Sequence, residues 1–291
     1  MTVGGGPPAK ADANTRPIKV LVFDLDDTLY RCHGIGSEVL AGIQGFMTKP
    51  FTCSSPVHHT RTRAGFMARH LGYTLPEAVA KATELYLAYG TTLAGLVEAG
   101  AKIDVDQWHK EVHHGHVNYA AHIHADPALR ELLFSIDLPK YVFTNADKTH
   151  MEICLRLLGI EDCFQGVFHF ENLHELAAAS GDDTPAHPHV VCKPAHRAYE
   201  LVFAKIGVPA DQVLFFDDSL RNVKAAQEVG AMAVLVGKTE PHAGADLVMK
   251  DLHCLPRLLP ELIDQPGLVK EVPAQHALAH SGSMHVTAAT A

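Results

Sequence analysis

The sequence predicts an α/β fold, an open parallel sheet with a helical module inserted into it, and three observations carry that prediction. Short apolar runs rich in Val and Phe recur along the chain, and their consecutive apolar positions suit strands covered on both faces. Helical patterns separate them in a βαβ alternation, which places the functional loops at the carboxyl ends of the strands. Between Tyr30 and about Leu138 there is no convincing core strand, only helical periodicity, so this interval reads as a separate module seated above the strand tips.

The elements follow in chain order. Residues 1–16 are rich in Gly, Pro and Ala and too poor in apolar residues for a secretory signal, so a flexible tail is expected there. IKVLVFD (18–24) is the first strand, and the core is expected to hold 17–32 and 136–264. The helical cap is expected over 33–135, with helices in PEAVAKATELYLAYG (76–90), VDQWHKEVHH (105–114) and DPALRELLF (126–134). Within it, 48–67 is crowded with Pro, Ser, Thr, His and Arg and lacks periodicity, and it reads as a disordered, dispensable insertion. KYVFTN (140–145) is a strand, after which Asp147 is placed to cap a helix that ends at Gly159. GVFHF (166–170) is the next strand. Pro194 is expected at the first position of a helix whose Tyr199, Val202, Phe203 and Ile206 share one face before Gly207. QVLFFDD (212–218) precedes a helix capped by Ser219 and ending at Gly230, and MAVLVG (232–237) is the last expected strand. From about 265 to 291 the apolar periodicity is lost, and a second tail is expected.

At 291 residues, 47% hydrophobic and 20% charged, the chain can bury a sizeable core. Its formal charge of −9 argues against a protein that coats nucleic acid or an anionic membrane. Its apolar runs fall short of the roughly 18–20 residues that span a bilayer. The six cysteines have no CxxC spacing and point to reduced thiols in a cytoplasmic protein.

Four strand tips carry the chemistry: Asp24 and Asp26, Thr144 and Asn145, Lys193 with Pro194, and Asp217 with Asp218. A parallel sheet brings such tips to one edge. Several carboxylates there are costly unless a hard cation sits among them, and Mg²⁺ fits best because it takes oxygen ligands and commonly partners a phosphate. With Lys193 facing the same anion and a carboxylate available as nucleophile, the set describes phosphoryl transfer, in which one aspartate attacks phosphorus while the other trades a proton.

DLDDT (24–28), TN (144–145), KP (193–194) and DD (217–218) resemble, in order, the four motifs of the haloacid-dehalogenase-like hydrolase superfamily over roughly residues 18–240. The resemblance implies a Rossmann-like core and Mg²⁺. It makes Asp24 the nucleophile and a metal ligand. Asp26 becomes the acid/base, ligating the metal through its main-chain carbonyl. Thr144 and the Asn145 backbone N–H hold phosphoryl oxygens, and Lys193 offsets their charge. Asp217 completes the metal site, with Asp218 acting through water or as an orienting neighbour. The acid at Asp26 favours a phosphatase over a dehalogenase, since halide leaves without a proton. The insertion resembles the helical cap placed after the first motif, a lid that reads the leaving group.

YLAYGTTLAGL (86–96), VFTNADKTHMEICLRLLGIEDCF (142–164) and VCKPAHRAYELVFAKIGV (191–208) further resemble the pyrimidine 5′-nucleotidase branch, which implies UMP and CMP as substrates. A sugar- or cofactor-phosphate phosphatase, a phosphomutase and a non-catalytic binder of phosphate compounds are the alternatives. The histidines at 113, 114, 116, 187 and 189 match no zinc pattern and are expected to be solvated; Tyr86, Tyr89 and Trp108 are expected in the cap core.

Overall fold

The computed structural model describes residues 18–31, 63–113, 118–181 and 190–263. Six parallel strands form one sheet in the order β3-β2-β1-β4-β5-β6. They are β1 (Val20–Phe23), β2 (Lys140–Phe143), β3 (Gly166–Phe168), β4 (Val213–Asp217), β5 (Met232–Val236) and β6 (Leu247–Met249). The order reverses between β1 and β4, which opens a crevice at their carboxyl ends. β6 has no counterpart in the sequence reading, because three residues in ADLVMK carry too little pattern to register as a strand.

The two-residue period of the strands divides the core into two layers. Leu21, Phe23, Val142, Leu214 and Phe216 face one side, where α6 (Pro127–Phe134) and α7 (Lys148–Leu158) contribute Leu129, Leu133, Met151 and Leu155. Val20, Val22, Phe143, Val213 and Phe215 face the other, under α8 (Phe170–Ala179), α9 (His196–Ile206) and α10 (Leu220–Glu228).

The inserted helices are α1 (Arg63–His70), α2 (Leu75–Tyr89), α3 (Thr92–Glu98), α4 (Val105–Val112) and, on the return to the core, α5 (Tyr119–His122). They bury Phe66, Met67, Leu85, Leu93 and Trp108 in a cluster of their own, closed by Phe170 from the core.

The helix ends follow the sequence reading in part. Asp147 accepts from the His150 N–H at 3.1 Å, and Gly159 and Gly207 end their helices in the left-handed conformation. Ser219 stands at the expected cap but its side chain makes no capping bond; the carboxylate of Asp217 accepts the Ser219 N–H instead. Pro194 precedes its helix, which starts only at His196, and the last two residues of GVFHF leave the strand so that Phe170 opens α8. Residues 63–67 belong to α1 rather than to a disordered insertion: Ala64, Phe66 and Met67 are buried, and an apolar helix face outweighs the polar run before it. The rest of that insertion (48–62) and both expected tails lie outside the described residues, as do His114, His116, His187 and His189. Cys154, Cys163, Cys192 and Cys254 carry free thiols, and no helix among the described residues is long and apolar enough to cross a membrane.

Candidate active site

One residue past the end of β1 the Asp24 N–H still reaches the Phe216 carbonyl of β4, at 2.8 Å, and the chain then turns away. The turn needs a left-handed residue, which Asp27 supplies at φ 57°. It leaves Asp24 buried at the base of a cavity of about 330 Å³ and Asp26 half-buried on its side. The strand tips of β1, β2 and β4 and the segment before α9 all meet here, so Asp24, Asp26, Thr144, Asn145, Lys193 and Asp218 share one cavity. Asp217 lies directly beneath it, fully buried.

Lys193 organises this base. Its ammonium donates to Asp24 Oδ1 at 2.7 Å, Asp217 Oδ2 at 2.8 Å and the Phe143 carbonyl at 2.8 Å, using all three of its protons. The rings of Phe143 and Phe215 flank it at 5.0 and 5.5 Å. Burial alone would push this lysine down, but the carboxylates of Asp217 and Asp24 outweigh it and hold the ammonium charged. Asn145 fixes the main chain from the opposite side: its amide donates to the Lys193 carbonyl at 2.8 Å and its carbonyl accepts the Lys193 N–H at 2.9 Å. Thr144 is buried, and its hydroxyl oxygen accepts from the Ala146 N–H at 3.0 Å.

The cap meets this base at Gly90, with φ 85°. A Cβ there would stand 2.2 Å from the Lys193 carbonyl oxygen, so only glycine lets α2 end against the Lys193 backbone.

Oxygens of Asp24, Asp217 and Asp218 all lie within 4.8 Å of one another. One ammonium compensates this cluster only in part. Burial and the surrounding carboxylates push Asp24 up against the pull of Lys193, and burial together with Asp217 and Asp27 pushes Asp218 up to about 7. An all-oxygen set short of positive charge fits a hard divalent cation. Within the set, Asp217 is already engaged by Lys193, by the Ser219 N–H at 2.8 Å and by the Asn222 amide at 3.0 and 3.1 Å. Asp218 is the carboxylate that faces the cavity.

Asp26 sits in different company. His150 Nε2 lies 2.8 Å from its Oδ1, and the Tyr30 hydroxyl donates to the same oxygen. Burial raises this carboxyl, but the His150 charge and the two hydrogen bonds outweigh it and hold Asp26 below the ordinary carboxylate range. The upper wall consists of Arg63, Tyr86, Trp108, His109 and His113 from the helical insertion and Arg221 from α10. Burial and the neighbouring His109 hold His113 down to about 3, so it is a neutral imidazole in the wall, and it keeps part of its surface exposed. Trp108 is buried as expected, whereas Tyr86 is 43% exposed, its ring lying beneath the guanidinium groups of Arg221 and Arg63.

A model of the haloacid dehalogenase-like hydrolase family matches residues 18–230. The chain belongs to that family. Among relatives, Phosphate metabolism protein 8 of Saccharomyces cerevisiae (strain ATCC 204508 / S288c) is 26% identical over 220 residues, which is 73% of this chain and 59% of the yeast protein. The chain therefore spans about three fifths of the length of that relative. Among solved structures, a HAD phosphatase from Thermococcus onnurineus has a TM-score of 0.49 at 17% identity, covering 83% of this chain and 98% of its own. The L-2-haloacid dehalogenase from Xanthobacter autotrophicus has a TM-score of 0.47 at 17% identity, with 84% and 99% covered.

Sequence reasoning brought the carboxylates and Lys193 to one place and overlooked what surrounds them: Asn222, Arg63, Arg221, Tyr30 and His150. His150 alone carried a readable signal. It is the third residue of α7, where a cation opposes the helix dipole, so an imidazole there calls for a nearby anion. Tyr30 and Asn222 stand four and five residues from the aspartates they bond and are set there by the local turns, whereas Arg63 and Arg221 are brought in by tertiary packing.

Proposed function

We propose that this chain is a Mg²⁺-dependent phosphomonoester hydrolase acting through an aspartyl-phosphate, with the pyrimidine nucleotides UMP and CMP as its substrates. The observation that carries the reading is the Lys193 ammonium held between Asp24 and Asp217, with Asp24 facing the cavity and Asp26 beside it. A buried cation locked to one oxygen of Asp24 leaves the other to attack, which is the disposition of a carboxylate nucleophile.

In this reading Asp24 attacks phosphorus, the bond to the leaving oxygen breaks, and Asp26 in its protonated form gives that oxygen a proton, although His150 and Tyr30 favour the ionised form at rest. A water then attacks phosphorus and gives a proton to Asp26, the bond from phosphorus to Asp24 breaks, and phosphate departs. Thr144 and the Asn145 N–H hold phosphoryl oxygens, while Lys193 offsets charge on nucleophile and phosphate. Asp24, Asp218 and the main-chain carbonyl of Asp26 would hold the Mg²⁺, which supplies charge neutralisation at the phosphoryl group. Asp217 would stand behind them, oriented by Lys193 and Asn222. This exchanges the parts expected of Asp217 and Asp218, because Asp217 is saturated with donors and Asp218 faces the cavity.

The nucleotide rests on the resemblance of residues 86–96, 142–164 and 191–208 to the pyrimidine 5′-nucleotidase branch. A cavity that continues past the carboxylates to Arg63, Tyr86 and His113 supports it, since these offer hydrogen bonds and an aromatic face to a leaving nucleoside. Turnover of UMP, CMP, AMP, GMP and a panel of sugar phosphates, with Mg²⁺ and with EDTA, tests both parts. Mg²⁺-dependent release of phosphate with kcat/KM at least tenfold higher for UMP and CMP is expected. A flat preference would leave the hydrolase and remove the nucleotide.

A further inference from the structure

We propose that His150 is a positioning residue for Asp26, pinning one carboxylate oxygen so that the other is aimed at the leaving group. The inference rests on the hydrolase reading above, in which Asp26 is the acid/base.

The geometry is specific to one atom. The contacts from His150 Nε2, at 2.8 Å, and from the Tyr30 hydroxyl both fall on Asp26 Oδ1, which leaves Oδ2 for the cavity that Asp26 lines. His150 is itself held: its Nδ1 meets the Tyr119 hydroxyl at 2.9 Å, which fixes the ring and sets Nε2 toward Asp26. Two stretches of chain thus meet at one carboxylate, the loop after β1 and the start of α7, and a third, α5 on the return from the helical insertion, holds the His150 ring behind it. His150 is buried at 7% exposure. A plain core histidine could satisfy both ring nitrogens on neutral partners and would need no carboxylate. Without His150, Asp26 would keep Tyr30 alone on Oδ1 and could rotate about χ1 and χ2, losing the orientation that general acid catalysis needs.

The test separates positioning from mere packing by the leaving group. An alkyl alcohol needs a proton to depart and p-nitrophenolate does not, so an effect routed through Asp26 must depend on which is used. Single-turnover release of the alcohol from an alkyl phosphate, and of p-nitrophenol from p-nitrophenyl phosphate, reads the first step alone. His150→Ala is expected to slow alkyl release about 10²-fold and p-nitrophenol release less than about threefold, a weaker copy of Asp26→Asn. His150→Gln, whose amide can still donate to Oδ1, should recover part of the loss. Should His150→Ala fail to fold, Tyr119→Phe, which only removes the hydroxyl from Nδ1, should show the same selectivity at about three- to tenfold. Equal losses on both substrates, or none on either, would overturn the inference while leaving the hydrolase standing. Wild-type protein without Mg²⁺-dependent turnover of either substrate would overturn both.

Discussion

At the base of the cavity, the Lys193 ammonium has three acceptors at 2.7–2.8 Å; in the wall above it, the buried Nε of Arg63 has no hydrogen-bond partner among the described residues. The base comes from strand tips fixed by the sheet, and nearly every polar atom there is spoken for. The wall comes from helices with a core of their own, and it turns toward the cavity a guanidinium held only by a 3.3 Å bond to Thr92 and by the Tyr86 ring. Saturated geometry suits bond-making, which tolerates little displacement, whereas an incompletely paired group is available to a ligand. In the proposed function chemistry belongs to the base and selection to the wall, and substitutions in each should then fail differently.

The largest effect is expected at Asp24. Asp24→Asn should reduce Mg²⁺-dependent phosphatase activity on p-nitrophenyl phosphate by at least about 10⁴-fold while leaving the circular dichroism spectrum unchanged. Activity within about tenfold of wild type would remove Asp24 as nucleophile. Lys193→Met comes next and should break fold as well as function. It strips the buried Asp24 and Asp217 of their cation, and loss of one partner of a buried pair costs about 3–5 kcal/mol, to be read by urea denaturation without metal. A stability within about 1 kcal/mol of wild type would show that the carboxylates do not depend on this lysine.

At the seam between base and wall, Gly90→Ala would put a methyl where the Lys193 carbonyl already stands, at φ 85°. A loss of about 1–3 kcal/mol is expected, because neither backbone can yield cheaply. In the wall, Arg63→Ala should raise KM for the nucleotide about tenfold and leave kcat on p-nitrophenyl phosphate within about twofold. An equal loss on both substrates would place Arg63 with the base instead, and no loss would take selection away from it.

The same division explains what could be read in the sequence. The strands of the base were legible because a sheet covered on both faces writes itself as apolar runs, and because each run ended on a residue with few uses in a core: Asp24, Asn145, Asp217. Tyr86 was misplaced because helical spacing says which residues share a face, and not whether that face meets a core or a cavity. Asn222 and Arg221 were invisible for another reason. They sit on the first turns of α10 at positions where any polar residue looks solvated, and only the folded chain brings them to Asp217 and to the Tyr86 carbonyl, at 3.0 and 3.2 Å. His150 falls between these cases, legible in principle from its place against the dipole of α7.

The smallest effect sharpens the comparison from the outer side of the insertion. Glu111 of α4 accepts from Gln107 at 2.7 Å, meets His70 at 3.2 Å and pairs with Arg69 at 2.5 Å, its side chain 27% exposed. Its slight burial would raise it, but the bonds from Arg69, Gln107 and His70 outweigh that and draw its carboxyl down to about 2. A folded value below the unfolded one means stability that is present above about pH 4.5 and lost as pH falls toward 2. Because solvent screens this pair, Glu111→Gln should cost less than about 1 kcal/mol at pH 7, and the difference from wild type should vanish near pH 2. Lys193→Met should keep its deficit in 1 M salt, which screens exposed charges and not buried ones, whereas the Glu111→Gln deficit should shrink there. Equal salt sensitivity of the two deficits would mean that the base of the cavity is no drier than the outside of the insertion.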